Sequence, residues 1–437
     1  MAARHVIVGS GIAGLAAAEA IRARDPRARI TMVSAEAHDF YSRPGLAYLL
    51  RGDLPEKQLT VRNRDDVRAL ALDRVAANVE RVLCPEHELL LDDGERLAYD
   101  RLLLATGAVA VPAPFPGGDL YGVVKLDSLD DARHIIGQSG RGRTAVVVGG
   151  GITALELVEG LRARGMTVHY FLRGTRYMAD VLDETESDIV LHRLREEGVT
   201  VHLNTQIKQA VARRNRVAGV ETQAGKTIAC DVVGVAIGVR PRADLARQAG
   251  LKVDRGVIVN AYLQTSAADV FAAGDVAEAF DPASGKTTLD VLWPTAMTQG
   301  RIAGANMTGA GLAYTKGVPF NVTQMTGLKV TIIGAVGGGK NEDLVAITRG
   351  ESEAWRVPPK SWVLSERDDV NRVRLLIGER TIVGALVMGD QTWSRPLQKL
   401  VVGKADIAPV RDALRGENAM AHLAGFYRQW EQTRVPS

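Results

Sequence analysis

Gly9, Gly11 and Gly14 fall in the run Gly9-Ser10-Gly11-Ile12-Ala13-Gly14, a spacing suited to holding a dinucleotide pyrophosphate. The phosphates of such a ligand approach backbone N–H groups at a helix N-terminus, where a Cβ would obstruct them. Glu36, further along, is placed to accept hydrogen bonds from a ribose. About 140 residues later the arrangement returns as Gly149-Gly150-Gly151, followed by Ala154 and Glu156. A glycine pattern alone also occurs in plain turns, so the flanking elements decide its meaning.

Those elements are present in both places. The apolar run His5 to Val8 leads into the first glycines, an alanine-rich helical stretch follows from Leu15 to Arg24, and a second strand, Arg29 to Ser34, ends near Glu36. Likewise Thr144 to Val148 leads into the second cluster, a helix runs to Arg164, and a strand covers Thr167 to Leu172. Strand, glycine turn, helix, strand is the βαβ grammar of nucleotide binding. Period-two segments lie between and after the units: Val79 to Leu83, Glu88 to Leu91, Leu102 to Leu104, Val199 to Leu203, Val217 to Thr222 and Val232 to Ala236. Beyond Val318 the pattern becomes strands (Lys329 to Ile333, Val373 to Ile377, Ile382 to Met388) and then helices from Arg395, which predicts an α+β domain. The stretch Ala419 to Trp430 reads as an amphipathic helix capping a core, and Trp355, Trp362 and Trp393 read as core or interface residues.

At 437 residues the chain is long enough for about three domains. Hydrophobic content of 46% and charged content of 24% are those of an ordinary globular protein. Forty-five glycines amount to about 10%, above the usual ~7%. The net charge of +3 comes from scattered basic residues without interleaved aromatics, which argues against nucleic-acid binding. No stretch reaches the ~18–20 apolar residues of a membrane helix, and the first apolar run begins too early for a secretory leader. Two distant cysteines, Cys84 and Cys230, give neither a redox pair nor a zinc motif, and a cytoplasmic, reducing compartment fits them. The histidines show no ligand spacing, so no metal site is expected.

Two further segments, Leu102-Leu103-Leu104-Ala105-Thr106-Gly107-Ala108 and Thr265 through Val270-Phe271-Ala272-Ala273-Gly274-Asp275, complete a resemblance that covers essentially the whole chain. The sequence resembles the FAD-dependent pyridine-nucleotide oxidoreductases, the two-dinucleotide-binding flavoproteins with a glutathione-reductase-like fold. That resemblance implies an α/β architecture of two Rossmann-like dinucleotide-binding domains plus a C-terminal α+β domain. The FAD domain would be discontinuous, 1–115 and 243–317, the NAD(P)H domain would span 116–242, and the interface domain 318–437. Within the family, Ala105, Thr106 and Gly107 close the FAD domain and Asp275 holds the ribityl chain, and Gly238 falls in a segment that resembles the cofactor-binding motifs. Pro294, Thr295 and Ala296 open a helix whose positive end points at the flavin. Val79 matches the backbone contact to adenine, and Lys125 stands where an arginine often reaches the FAD phosphates. Twelve glycines fall in these segments (Gly9, Gly11, Gly14, Gly107, Gly149, Gly150, Gly151, Gly238, Gly274, Gly300, Gly304 and Gly309), and Gly337-Gly338-Gly339 reads as a loop without assigned purpose.

For the second dinucleotide, relatives that use NADH place an acid where Leu172 stands. Arg173 and Arg176 suit a 2′-phosphate instead, favouring NADPH over NADH bound through other contacts or a site without a nicotinamide ligand. Relatives that reduce disulfides or peroxides place cysteine in the segment that corresponds to Phe40-Tyr41-Ser42-Arg43-Pro44-Gly45-Leu46-Ala47-Tyr48-Leu49-Leu50, which has none, so a disulfide or peroxide acceptor is not expected. The Arg43-Pro44-x-Leu46 piece is similar to the rubredoxin and ferredoxin reductase branch and to the flavin part of nitrite reductases. That branch often has a lysine where Tyr48 stands, paired with the glutamate corresponding to Glu156. Tyr48 either stacks near the flavin or is a helix core residue. The implied activity is electron transfer from NAD(P)H through FAD to a small iron–sulfur carrier or a quinone-like acceptor, with Glu156 orienting the nicotinamide and a homodimer through the third domain. Two alternatives remain: a flavin-bearing subunit of a larger complex, and a redox-gated FAD/NAD(P)H-binding interaction protein.

Overall fold

The computed structural model describes residues 3–60, 62, 64–337, 349–356 and 361–434, and the chain packs as two compact units. The first contains residues 1–173, 205–316 and 345–351, and the second contains 174–204, 317–344 and 352–437. Of the Gly337-Gly338-Gly339 run, Gly338 and Gly339 lie outside the described residues.

Val6, Ile7 and Val8 are consecutive and all buried. A strand can bury every side chain only if both sheet faces are covered, as in a parallel α/β sheet. Accordingly Arg4–Val8 lies at the centre of a parallel sheet of order Val270–Ala272, Arg101–Leu104, Arg4–Val8, Arg29–Ser34, Asp73–Ala76. A second parallel arrangement in the same unit runs Thr167–Phe171, Thr144–Val148, Val232–Val235, Val123–Val124. The helices that follow the two glycine turns are Ile12–Arg24 and Ile152–Ala163. The first begins three residues before the predicted Leu15, because its opening turn includes the glycine motif itself.

Helix Ile12–Arg24 packs on helix Trp293–Met307 through small residues. A Cβ on Gly300 would lie 2.2 Å from the Ala13 carbonyl oxygen, and one on Gly304 would lie 2.3 Å from that of Ala17. This revises the sequence reading: Gly300 and Gly304 are glycine because two helix backbones touch there, and no nucleotide is needed to explain them.

The second unit has an antiparallel sheet of order Phe320–Met325, Leu328–Gly334, Ile382–Met388, Asn371–Ile377, Trp362–Asp368. Helices Ser394–Val402 and Ala419–Gln432 contribute Leu397, Leu400 and Leu423 to its core, with Phe426 and Trp430 packed against it. The last helix is thus a core cap, and Trp355 is fully buried. Glu186, on helix Glu184–Glu196, is also fully buried. Arg374 donates to it at 2.8 Å and to the carbonyls of Val181 and Val336, so this buried charge is paired and hydrogen-bonded.

Gly304→Ala is expected to lower stability by about 1–3 kcal/mol through overpacking. Gly137→Ala, in helix Leu129–Gln138 where an added Cβ meets nothing within 4 Å, should be neutral or stabilise by up to about 1 kcal/mol. Urea denaturation of the two variants checks the difference, and equal losses would remove the helix-contact explanation.

Candidate functional site

The first glycine turn is built from inside the protein. Gly9 has φ +115°, and a Cβ there would stand 2.2 Å from the Ala105 carbonyl oxygen. The Gly9 N–H donates to the Val33 carbonyl and the Ala105 N–H to that of Val8, so Ala105, Thr106 and Gly107 run beside the turn. A Cβ on Gly14 would strike the Gly9 carbonyl at 2.1 Å. Gly11 differs: nothing of the protein lies within 4 Å of an added Cβ. It is the N-cap of a helix with no side-chain cap and no acid in its first turn, so its N–H groups are left to a ligand. Ile12 and Ala13 form that first turn.

The second turn repeats the design. Gly149 has φ +143° and a Cβ there would meet the Ala236 carbonyl at 2.0 Å, whereas Gly150 borders open space. Gly151 caps the helix without a side-chain hydrogen bond, Ala154 is buried beneath the turn, and Gly238 adopts φ +120°. Both cradles fit a dinucleotide pyrophosphate.

Asp275 follows Gly274, whose φ of +81° turns the chain and whose N–H donates to buried Gln299 at 2.8 Å. A Cβ on Gly274 would come 3.0 Å from that of Ala13, so Asp275 stands close to the opening turn of the first helix. Burial raises its pKa above the usual carboxylate value, opposed by Arg349 and Arg43. Pro294, Thr295 and Ala296 lie in the first turn of helix Trp293–Met307, which carries no acid and no side-chain cap.

Glu36 is held in a network. Tyr41 donates to it at 2.7 Å and Arg43 forms an ion pair with it. Burial works to raise its pKa, but Arg43, Tyr41 and Arg242 outweigh that and hold it below the usual value. Arg43 also donates to the Asp127 backbone carbonyl at 2.6 Å. Asp127 is only 3% exposed, pairs with Arg349, and has Arg242 at 3.6 Å and Lys125 at 3.7 Å. Lys125 binds Asp131 at 2.9 Å, so its ammonium is engaged by carboxylates. Val79 opens the half-buried edge of strand Val79–Leu83.

Tyr48, on helix Gly45–Arg51, is 39% exposed, which removes the core-residue alternative. The Arg51 guanidinium lies 5.2 Å from its ring centroid and pairs with Asp53 and, at 3.2 Å, with Glu159. Glu159 is one helical turn after Glu156 on the helix that packs against Gly45–Arg51, close enough for a Cβ on Gly160 to hit Leu50 at 2.5 Å. Arg51 therefore serves Glu159, and Glu156 has no hydrogen-bond or ion-pair partner among the described residues. Burial, reinforced by the Glu159 charge and opposed by Arg349 and Arg51, pushes its pKa up to about 7.

Leu172 is buried in the core, while Arg173, next in sequence, is exposed and without a partner among the described residues. Arg176 is half-buried and belongs to the second unit. Burial raises the thiol of Cys84, and that of Cys230 up to about 12, so neither is a ready thiolate. Sequence reasoning missed Arg51, Asp127 and Arg349. Arg51 is three residues after Tyr48 and so on its helical face, a signal that was available; Arg349 lies 222 residues from Asp127, and no motif marks it. Among the described residues no three His, Cys, Asp or Glu side chains converge as for a metal ion, and no described helix is long and apolar enough to cross a membrane.

Because Glu156 binds its proton more tightly in the fold than in the unfolded chain, its contribution favours the native state at low pH and is lost as pH rises from about 4.5 through about 7. Glu156→Gln should therefore stabilise the protein at pH 8 by about 1–2 kcal/mol, a figure discounted because the residue is half-buried, and change little at pH 4.5. Melting curves across that range check it; parallel profiles for the two proteins would refute it.

Known proteins with a similar chain are consistent in kind. The profile of the family described as pyridine nucleotide-disulphide oxidoreductase matches residues 3–300. The ferredoxin–NAD(+) reductase component of the anthranilate 1,2-dioxygenase system of Burkholderia cepacia is 35% identical over 352 residues, 79% of this chain and 84% of that protein. The NAD(P)H nitrite reductase of Bacillus subtilis is 30% identical over 406 residues, 92% of this chain, but the chain spans only about half, 48%, of that relative. A solved ferredoxin reductase from Rhodopseudomonas palustris superposes with a TM-score of 0.81 at 25% identity, covering 93% of this chain and 96% of that one.

Proposed function

The chain belongs to the pyridine nucleotide-disulphide oxidoreductase family, and from that premise we propose that it carries electrons from NADPH through FAD to a small iron–sulfur protein of the ferredoxin or rubredoxin class. That it is an FAD-dependent NAD(P)H oxidoreductase follows from the family; the choice of donor and acceptor is what the proposal adds. One observation carries it: two glycine-lined helix N-termini stand in one unit with a segment, Phe40 to Leu50, that contains no cysteine. A disulfide acceptor needs a thiolate to relay electrons, and none is placed to do so.

FAD, when bound, accepts a hydride and can release its electrons singly. The residues of the chain bind and orient. Gly9 shapes the turn, Gly11, Ile12, Ala13 and Gly14 present N–H groups to the FAD pyrophosphate, Glu36 faces its adenosine ribose, and Asp275 faces its ribityl chain. Gly149 likewise shapes the second turn, whose helix N-terminus at Gly151 receives the nicotinamide dinucleotide, and Glu156 orients its ring. Arg173, an exposed guanidinium with no internal partner, supports binding of the 2′-phosphate that distinguishes NADPH. The same reading divides the chain into 1–115 with 243–317, 116–242, and 318–437. It places a homodimer contact on the last, which sedimentation at two concentrations checks.

A second reading has its own support. The chain matches half of a larger nitrite reductase, and Glu156 lacks a cationic partner, as expected of a flavin-bearing subunit driven by a protein rather than by soluble nicotinamide.

Anaerobic mixing with NADPH should bleach the flavin within milliseconds to seconds, and an added ferredoxin or rubredoxin should restore the colour. Absence of bleaching by either nucleotide supports the subunit reading, and slow bleaching with a lasting charge-transfer band supports a redox-gated interaction protein. Arg173→Glu should raise KM for NADPH about tenfold or more and leave KM for NADH within about twofold, the scale of a lost guanidinium–phosphate contact. A native preference for NADH would refute the NADPH assignment.

A further inference from the structure

Residues 349–351 group with the first unit, although the segments on both sides of 345–351 group with the second. Two backbone hydrogen bonds fasten them: Val291 N–H donates to the Glu351 carbonyl at 3.0 Å, and Gly350 N–H donates to the Val291 carbonyl at 2.9 Å. Val291 directly precedes Leu292, the N-cap of helix Trp293–Met307. Arg349 is thereby brought near the positive pole of that helix.

Its side chain is 22% exposed and ion-paired with Asp127 through Nη2. A guanidinium has five N–H donors, and those of Arg349 not given to Asp127 have no partner among the described residues. A mostly buried cation beside a helix N-terminus is costly unless an electron-rich group accepts from it. Asp127 cannot fully supply that group, since Arg242 and Lys125 also face it. The Arg349 charge also reaches Asp275 and Glu156, in both cases opposing the effect of burial. These two carboxylates come from different elements, and the proposed function sets one at the ribityl chain and the other at the nicotinamide. A cation that reaches both stands where the flavin end of FAD joins them.

We propose that Arg349 is an FAD-contacting residue that donates hydrogen bonds to the flavin end of the dinucleotide and stabilises the negative charge formed there on hydride transfer. The inference rests on the FAD reading given above. In the step concerned, the nicotinamide C4–H bond breaks with its electron pair, an N–H bond forms at flavin N5, the nicotinamide is oxidised, and the reduced ring is left with one negative charge. Arg349 takes no proton and forms no bond; it offsets that charge. Asp127 is its positioning residue.

The test compares native holoprotein with Arg349→Gln and Arg349→Lys, reading FAD dissociation by flavin fluorescence and the midpoint potential by dye-equilibrated titration. Arg349→Gln should loosen FAD about tenfold or more and favour the oxidised flavin by about tenfold, a fall of about 30 mV for a two-electron couple. Arg349→Lys keeps the charge without the planar fork, and should loosen FAD several-fold with a smaller fall in potential. Looser FAD at an unchanged potential in Arg349→Gln overturns the placement at the flavin end, as does a native potential and affinity in either variant. If Arg349→Gln does not fold, the lysine variant decides. A native protein that binds no FAD would instead refute the flavoprotein reading itself.

Discussion

The first unit depends on how closely three stretches of backbone approach the N-terminus of the Ile12–Arg24 helix. The Ala105 carbonyl side leaves no room for a Cβ on Gly9, the Gly9 carbonyl none on Gly14, and the Ala13 and Ala17 carbonyls none on Gly300 and Gly304. Each contact is about a peptide's thickness, so each glycine is demanded from within the protein. Only after this packing is satisfied does Gly11 remain, bordered by open space, with the N–H groups of the helix unclaimed. The binding cradle is what the backbone packing leaves over.

Electrostatics around the cradle follow from the same closeness. Acids and bases sit at low exposure because the sheet ends and helix ends that carry them converge, and water that would have screened them is excluded. Glu36 resolves its burial by pairing with Arg43 and Tyr41 and stays acidic. Glu156, its neighbouring cation committed to Glu159, resolves burial by holding a proton to near neutral pH. Two carboxylates in one site thus answer desolvation in opposite ways, and the difference lies in where a guanidinium is spent.

Much of the fold was legible because its signals are local. Strands Arg29–Ser34, Thr144–Val148, Val79–Leu83, Glu88–Leu91 and Ile382–Met388 match their sequence-based bounds, since a buried or alternating apolar run is read residue by residue. Elements without such a run were not read, among them helix Glu184–Glu196 and the strand Trp362–Asp368. Helix Glu184–Glu196 is rich in charge, and its inward face carries Glu186, whose burial depends on Arg374, a partner 188 residues away. No local pattern announces a buried acid of that kind.

By itself the sequence determined the two strand–glycine–helix units, the absence of a cysteine pair in the loop after the first, and membership of a flavin and nicotinamide oxidoreductase family. These are properties of residue type and short spacing, and the backbone obeys them locally. Tertiary structure alone decided which glycines serve packing and which face a ligand. It also decided that Tyr48 is exposed under Arg51, that Glu156 makes no ion pair among the described residues, and that Arg349 is brought to Asp127 by pairing with Val291. Each of these concerns charges or backbones brought together across a long span of chain. The energy of such a contact is set by separation and burial in three dimensions, which spacing along the chain does not encode.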